Sequence, residues 1–462
     1  MNRVRLLVIG GGPAGYVAAL RAAQLGAEPV LVEGAELGGT CLNRGCVPTK
    51  SLLESTSLLK GLSDAGKHGL TVTGVSVDLA AMVGRKDEVA RSLRESLGVL
   101  LAERGVAVRP GWARFAGPRE AVIAANGKEH KVAFEQAIIC TGSNPWVPPL
   151  PGFDLPGVIG SEAALNPDSV PATLAIIGGG AVGCEFAAIY GALGAKVTLI
   201  ELLPSLIPTE DVELGDALRF YLEAQGVQVL TGAKVEGIAQ AGGSLAVKVA
   251  SAGGARVVQA DRVLAAIGRR PRTQGLQLEQ AGIAVGGRGE ISVDACMRTS
   301  VQGIYAAGDV TGGVLLAHVG FEQGVVAAEH AMGHSVRYDG GGVPRCIYTT
   351  PEVAGVGLTE AAAREEGYEV AVGRFPFQNS GRALAMAKPE GFVKVVAEAG
   401  SGQLLGMHII GSHATELIAA AALALHHGST VDDIVKVIHA HPTLAEAVKE
   451  ACLDTRGEAI HK

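Results

Sequence analysis

The sequence predicts an α/β protein built on two copies of one strand–turn–helix–strand unit, with a C-terminal α+β region. Three observations predict it. Clusters of the pattern Gly-x-Gly-x-x-Gly follow short apolar runs at Gly10 and again at Gly178. Each cluster opens a helical stretch and is followed by a second apolar run that ends in an acid. The 462 residues, 48% of them hydrophobic, suffice for two to four domains with full cores.

The first unit reads Val4 to Ile9 as a strand, Gly10-Gly11-Gly12-Pro13-Ala14-Gly15 as the turn, then a helix to Gly26 and a strand from Pro29 to Glu33. Gly10 permits the tight turn, Gly12 lets backbone approach a pyrophosphate, and Gly15 lets helix pack closely on strand. The helix N-terminus adds unpaired N–H groups and partial positive charge for that phosphate. Glu33 ends the second strand, where its carboxylate can accept from ribose hydroxyls.

The next segment is Gly39-Thr40-Cys41-Leu42-Asn43-Arg44-Gly45-Cys46-Val47-Pro48-Thr49-Lys50. Two cysteines five residues apart, just downstream of a nucleotide-binding glycine cluster, suggest a dithiol/disulfide pair held against a bound redox cofactor. In an undistorted α-helix five residues turn the pair by about 140° and advance it by about 7.5 Å, a Cα separation of roughly 8.7 Å. A disulfide needs no more than about 7 Å. The segment is therefore predicted to be bent or only partly helical, with Gly45 and Pro48 permitting the irregularity.

After a Pro-rich link, Pro145 to Gly152, the unit recurs. Leu174 to Ile177 is the strand, Gly178-Gly179-Gly180-Ala181-Val182-Gly183 the turn, and Lys196 to Glu201 the second strand with its acid. First glycine to acid is 23 residues in both units, at an offset of 168. Gly178, Gly180, Gly183 and Glu201 take the parts of Gly10, Gly12, Gly15 and Glu33. The run Leu174 to Leu193 is apolar and glycine-rich enough to imitate a packed membrane helix. Glu185 in its middle would be costly in hydrocarbon, and the nucleotide unit explains the run better. A 2′-phosphate would meet the Glu201 carboxylate with like charge, and residues 202–208 contain no Arg or Lys. NAD is expected over NADP.

Composition narrows the function classes. Lys+Arg number 39 against 46 Asp+Glu, a formal charge of −7 without a basic run, so nucleic-acid binding is not expected. Seven cysteines are an odd, small number for this length and form no secreted disulfide framework. One redox pair plus buried thiols fits a reducing, cytoplasmic compartment. No signal or transit peptide is visible before the first strand. Metal binding by Cys41 and Cys46 would need two more ligands at suitable spacing, and none is nearby.

Further motifs follow in a recognisable order: Cys140-Thr141-Gly142-Ser143, Ala266-Ile267-Gly268-Arg269-Arg270-Pro271, Tyr305-Ala306-Ala307-Gly308-Asp309, Leu315-Leu316-Ala317-His318 and His439-Ala440-His441-Pro442-Thr443-Leu444-Ala445-Glu446. With the cysteine segment as its most specific marker, the chain resembles the flavoprotein disulfide reductases over essentially its whole length. Among them it is most similar to those that oxidise dihydrolipoyl groups.

That resemblance implies two Rossmann-like dinucleotide-binding domains and a C-terminal dimerisation domain. The expected division is an FAD domain over 1–149, an NAD domain over 150–275, a central domain over 276–345 that completes the FAD site, and an interface domain over 346–462. FAD is expected against Gly10, Gly12, Gly15, Glu33, Thr40, Lys50, Ala113, Gly142, Asp309 and Ala317. NAD is expected against Gly178, Gly180, Gly183, Glu201, Val235 and Gly268. By the same resemblance Glu185 lies near nicotinamide and flavin, and Lys50 stabilises negative charge on a reduced flavin. Arg44 stands where a small apolar residue is common in the family, and Val319 where many lipoyl-type members carry Lys.

Thiolate, not thiol, is the competent nucleophile in disulfide exchange, so the substrate dithiol needs a base. His441 is the candidate, with Glu446 to hold the imidazole and Pro442 at the first position of the terminal helix. In the family this base comes from the partner subunit, which implies a homodimer. The resemblance further implies that Cys41 is the interchange thiol, that Cys46 leaves as a thiolate beside the flavin, and that the flavin passes hydride to NAD. The expected partners are lipoyl domains and the acyltransferase core of 2-oxoacid dehydrogenase complexes, or the lipoylated glycine cleavage carrier protein, with no membrane. Other readings are a glutathione- or mercuric-reductase-like enzyme, or a non-catalytic flavin-binding component. Glu201 and the single C-terminal Cys452 speak against the first two. The cysteine pair and His441 with Glu446 speak against the third, since scaffolding needs neither.

Overall fold

Residues 2–462 are described by a computed structural model. The chain divides into two compact units, one of Met1–Ser51, Val83–Trp146 and Gly268–Gly340, the other of Leu52–Met82, Val147–Ile267 and Gly341–Lys462.

In the first unit the run Leu6-Leu7-Val8-Ile9 is buried to 3% exposure or less. A run apolar on both faces belongs inside a parallel sheet covered on both sides. The strand Asn2–Ile9 accordingly pairs in parallel with Pro29–Glu33 and with Lys128–Ile139. Ala107–Pro110 extends the sheet beyond Pro29–Glu33. Ile304–Ala306 lies parallel to the end of Lys128–Ile139, through Ala137 to Ile139. The beginning of Lys128–Ile139 pairs antiparallel with Glu120–Ala125, which pairs with Trp112–Gly117. One long strand thus joins the parallel sheet to an antiparallel meander. The helices Pro13–Gln24 and Ala317–Ala331 meet backbone to backbone. A Cβ on Gly324 would sit 2.4 Å from the Ala14 carbonyl oxygen.

The second unit holds three sheets. Five parallel strands run in the order Gln228–Leu230, Lys196–Ile200, Thr173–Ile177, Arg262–Ala265, Val158–Ile159. Lys234–Ala241, Ser244–Ser251 and Gly254–Ala260 form an antiparallel meander. Arg345–Ile347, Glu352–Gly357, Leu404–Gly411, Phe392–Glu398 and Val370–Pro376 form a five-stranded antiparallel sheet in that order. Its core includes Val393, Val395 and Ile409 from the sheet with Ile418, Ala421, Ala447 and Ala451 from the helices Ala414–His426 and Glu446–Asp454.

A buried polar layer also lies in this unit. The Lys394 ammonium, 1% exposed, donates to Asp211 at 2.9 and 3.0 Å and to Glu213 at 2.6 Å, and lies 2.9 Å from Glu360. A buried charge is tolerable only when paired in this way. Among the described residues no helix is long and apolar enough to cross a membrane.

Candidate active site

The two glycine turns superimpose hydrogen bond for hydrogen bond. Gly10 N donates to Val32 O and Gly178 N to Ile200 O, both at 2.8 Å. Both first glycines have positive φ, +102° and +110°, and a Cβ there would lie 2.3 Å from the carbonyl oxygen of Cys140 or of Ala266. A Cβ on Gly15 would lie 1.7 Å from Gly10 O, and one on Gly183 1.8 Å from Gly178 O. These four positions admit no side chain. The middle glycines differ. A Cβ on Gly180 would meet nothing within 4 Å, and one on Gly12 only Gly39 Cα at 3.7 Å. Glycine there is not required by the protein's own packing, which leaves open backbone facing outward. Gly12 and Gly180 are also the N-caps of Pro13–Gln24 and Ala181–Ala192, and neither has a side-chain cap. The orphan amides and the dipole of each helix are available to a phosphate. On these observations both turns fit a dinucleotide.

The acids are equally matched. Glu33 Oε2 accepts from Gly11 N at 2.6 Å and Oε1 from Ala35 N at 2.7 Å. Glu201 Oε2 accepts from Gly179 N at 2.6 Å and Oε1 from Leu203 N at 2.8 Å. Each carboxylate therefore ties its glycine turn to its own strand, a structural task the motif did not reveal. Each oxygen retains a lone pair for a ribose hydroxyl. The carbonyl of Glu33 accepts from Gly111 N at 2.8 Å and that of Glu201 from Ala233 N at 2.9 Å. Ala113 and Val235 stand two residues beyond those donors, so they occupy equivalent places in the two units. Gly142 and Gly268 likewise each follow by two the carbonyls that close on Gly10 and Gly178.

The cysteine segment breaks where the spacing required. One helix, Gly39–Arg44, ends at Gly45 with φ −141° and ψ −113°, and a second, Cys46–Ser63, begins at once. Thr49 restarts the ladder, its amide and hydroxyl both donating to Gly45 O. The bend brings the Cys41 and Cys46 thiols into hydrogen-bond contact. That bond, then burial, raises the Cys41 pKa strongly, while the Lys50 cation opposes the rise. Arg44 turns to Glu36 at 3.4 Å.

Three residues at this site were not singled out from the sequence. Burial lowers the pKa of the Arg269 guanidinium, and Asp309 and Cys46 offset the fall, which places it among these groups. Arg269 donates to Ser143 Oγ at 2.7 Å and to Ser143 O at 2.7 Å, and Ser143 Oγ donates to Asp309. Tyr16, on the first glycine-turn helix, is raised by burial and then by Cys41. Cys41, Cys46, Lys50, Ser143, Arg269 and Asp309 therefore form one neighbourhood in the first unit. Asp309 opens a short 3₁₀ turn just after the strand Ile304–Ala306. Gly308 N donates to Gln323 Oε1 at 2.8 Å, and the helix bearing Gln323 begins at Ala317.

In the second unit Glu185 is 4% exposed and its Oε1 accepts from Tyr348 N at 3.0 Å. His441 Nδ1 lies 2.8 Å from Glu446 Oε1, and Thr443 N donates to Glu446 Oε2 at 2.8 Å. Pro442 is not the first residue of the terminal helix, which spans Glu446–Asp454. The reason is that Glu446 folds back onto His441 and the Thr443 amide, so residues 442–445 turn instead of coiling. Among the described residues no group of three His, Cys, Asp or Glu could hold a metal ion.

The fold and its site define a two-nucleotide oxidoreductase with a dithiol centre. Residues 4–324 match the family model for pyridine nucleotide-disulphide oxidoreductases, and residues 343–452 match the dimerisation domain of the same family. The chain belongs to this family. It is 45% identical to dihydrolipoyl dehydrogenase of Thermus scotoductus, over 100% of this chain and 99% of the relative. It is 42% identical to a dihydrolipoyl dehydrogenase of Bacillus subtilis, over 99% of each. Among solved structures, the HOCl-induced flavoprotein disulfide reductase RclA of Escherichia coli, as its Cu(II) complex, matches with a TM-score of 0.89 and 30% identity, over 98% of this chain and 99% of that one.

Proposed function

We propose that this chain oxidises protein-bound dihydrolipoyl groups to lipoyl with NAD as acceptor, using FAD and a redox-active Cys41–Cys46 pair. The observation that carries the reading is the Cys41–Cys46 thiol contact lying in charge reach of Lys50 and of Arg269, which is bonded through Ser143 to Asp309. The full-length likeness to dihydrolipoyl dehydrogenases supports the substrate.

Each residue then has a task. A dihydrolipoyl thiolate attacks Cys41 Sγ of the oxidised pair, the Cys41–Cys46 bond breaks, and Cys46 leaves as thiolate. The second substrate thiol gives its proton to His441 of the partner subunit and attacks its own sulfur bonded to Cys41. That releases lipoyl and expels Cys41 as a thiolate, which takes the proton back from His441 and becomes a thiol, so the substrate loses the two electrons that the pair gains. Glu446 holds His441 with Nδ1 protonated and Nε2 open for the proton. FAD, when bound, supplies the two-electron relay between thiolate sulfur and nicotinamide. Gly10, Gly12, Gly15, Glu33, Thr40, Lys50, Ala113, Gly142, Asp309 and Ala317 would hold it. Gly178, Gly180, Gly183, Glu201, Val235 and Gly268 would hold NAD, with Glu185 beside the nicotinamide.

The four-part division at 149, 275 and 345 is proposed on the same footing. So are a homodimer, lipoyl domains with an acyltransferase core or glycine cleavage carrier protein as partners, and a cytoplasmic location. The dimerisation-domain match supports the homodimer. The deciding assay follows NAD reduction by dihydrolipoamide against glutathione and NADPH controls. Turnover of the first pair alone is expected, and glutathione reduction by NADPH in its place would overturn the reading.

A further inference from the structure

Glu210 Oε2 and His408 Nδ1 are buried and find no hydrogen-bond partner in the protein. His408 is fully buried and Glu210 is 8% exposed. Glu210 spends its other oxygen on Arg345 Nε at 2.8 Å. The two unpaired atoms nevertheless surround one point. Strand register sets Arg345, Gly355 and His408 side by side on three neighbouring strands of the antiparallel sheet. Gly355, in the middle, has no side chain to fill the row. An ideal Cβ there would stand 2.5 Å from Glu210 Oε2, 3.1 Å from His408 Nδ1 and 3.4 Å from Arg345 Nη2.

The chemistry around that point is specific. His408 Nε2 lies 2.9 Å from the Leu358 carbonyl, which only accepts, so Nε2 carries the hydrogen and Nδ1 is an acceptor. Burial lowers the His408 pKa to about 4, which keeps the ring neutral at neutral pH. Glu210 Oε2 is a second acceptor, and Arg345 Nη2 is a donor. Two acceptors and one donor are the complement of a water molecule, which donates twice and accepts. A cation would face the Arg345 guanidinium, and an anion would face two acceptors.

We propose that Gly355 marks a built internal hydration site. One ordered water donates to Glu210 Oε2 and His408 Nδ1 and accepts from Arg345 Nη2. It ties Glu210, one residue before the cap of the helix Val212–Ala224, to the five-stranded sheet, beside the Lys394 layer. A Cβ at 355 would stand 2.5 Å from Glu210 Oε2, so a side chain there would push that carboxylate out of the arrangement that holds the water.

The test is a crystal structure of the full chain at a resolution where ordered waters are seen, for the wild type and for Gly355→Ala. The wild type is expected to show one peak within about 2.6–3.2 Å of the three atoms, the range of a hydrogen bond. In Gly355→Ala the peak is lost and the Tm falls. A wild-type map with Glu210 Oε2 bonded directly to His408 Nδ1 and no peak between them would overturn the proposal. So would a Gly355→Ala map that keeps the peak. The wild-type map decides even if the variant does not fold.

Discussion

His441 Nδ1 and Glu446 Oε1 stand 2.8 Å apart, and the other Glu446 oxygen is held by the Thr443 amide. A carboxylate only accepts, so the hydrogen sits on Nδ1 and the Nε2 lone pair is left for a substrate proton. Partial burial raises the Glu446 pKa, but the Thr443 amide and His441 together bring it below the ordinary carboxylate value. Glu446 stays ionised across the working range and steadies the imidazolium when it forms.

Glu446→Gln keeps the shape and removes the charge. Turnover of dihydrolipoamide should fall about a hundredfold, the lower end of general-base effects. NADH oxidation by an artificial acceptor, which needs no base at this position, should be unchanged. Steady-state kinetics with both acceptors check the split.

Gly180→Ala and Gly183→Ala should part company although they are three residues apart. A methyl at 183 would lie 1.8 Å from Gly178 O and should prevent folding of the turn. A methyl at 180 meets nothing within 4 Å, so the protein should fold with unchanged Tm. It would stand where a pyrophosphate approaches, and the KM for NAD should rise about tenfold or more, each tenfold being about 1.4 kcal/mol. Flavin content should stay that of the wild type, and a thermal melt with an NAD titration reads both effects.

Glu201→Ala should weaken NAD binding and also loosen the turn, because Glu201 holds the amides of Gly179 and Leu203. Glu33→Ala should cause the corresponding loss of flavin, since Glu33 makes the same bonds to Gly11 and Ala35. Flavin absorbance of the purified proteins and NAD titrations distinguish the two. Flavin loss from Glu201→Ala alone would reverse the assignment of the two units.

Acid should destabilise the fold through the Lys394 layer. Arg374 and then Lys394 hold Glu213 down, near a pKa of about 2, although partial burial acts the other way. Its unfolded value is about 4.3, so its contribution is present above that pH and is lost as pH falls towards 2. His408, held at about 4 by burial, adds a loss in the same direction. It starts higher, because the unfolded imidazole takes a proton near pH 6.5 and the folded one does not. Glu210, raised by burial, opposes both. The Tm should decline from about pH 6.5 to pH 2, and His408→Gln should flatten the upper part of that decline.

The repeat was legible because backbone contacts dictate it. Only glycine survives 1.7 Å from Gly10 O at position 15, so the spacing is written into the sequence wherever the turn is made. The break at Gly45 was legible for a like reason, since two cysteines five apart cannot meet across a straight helix. Ser143 and Arg269 were not singled out, because 126 residues separate them and only a two-stranded ladder between Ser143–Pro145 and Arg269–Pro271 brings them together. The second task of Glu33 and Glu201 was hidden too, since a carboxylate that binds ribose and one that binds backbone amides look alike in sequence. The start of the terminal helix was misplaced at Pro442. Proline is common in a first helical turn, but here the Glu446 side chain takes the preceding amide and imidazole for itself.

The central claim is tested most directly by anaerobic reduction of the yellow holoenzyme with dihydrolipoamide, followed by absorbance. Wild-type protein should develop a long-wavelength charge-transfer band on two-electron reduction. Cys41→Ser should keep its flavin, fail to react with dihydrolipoamide and reduce no NAD with it. Normal NAD reduction by dihydrolipoamide in Cys41→Ser would contradict the account.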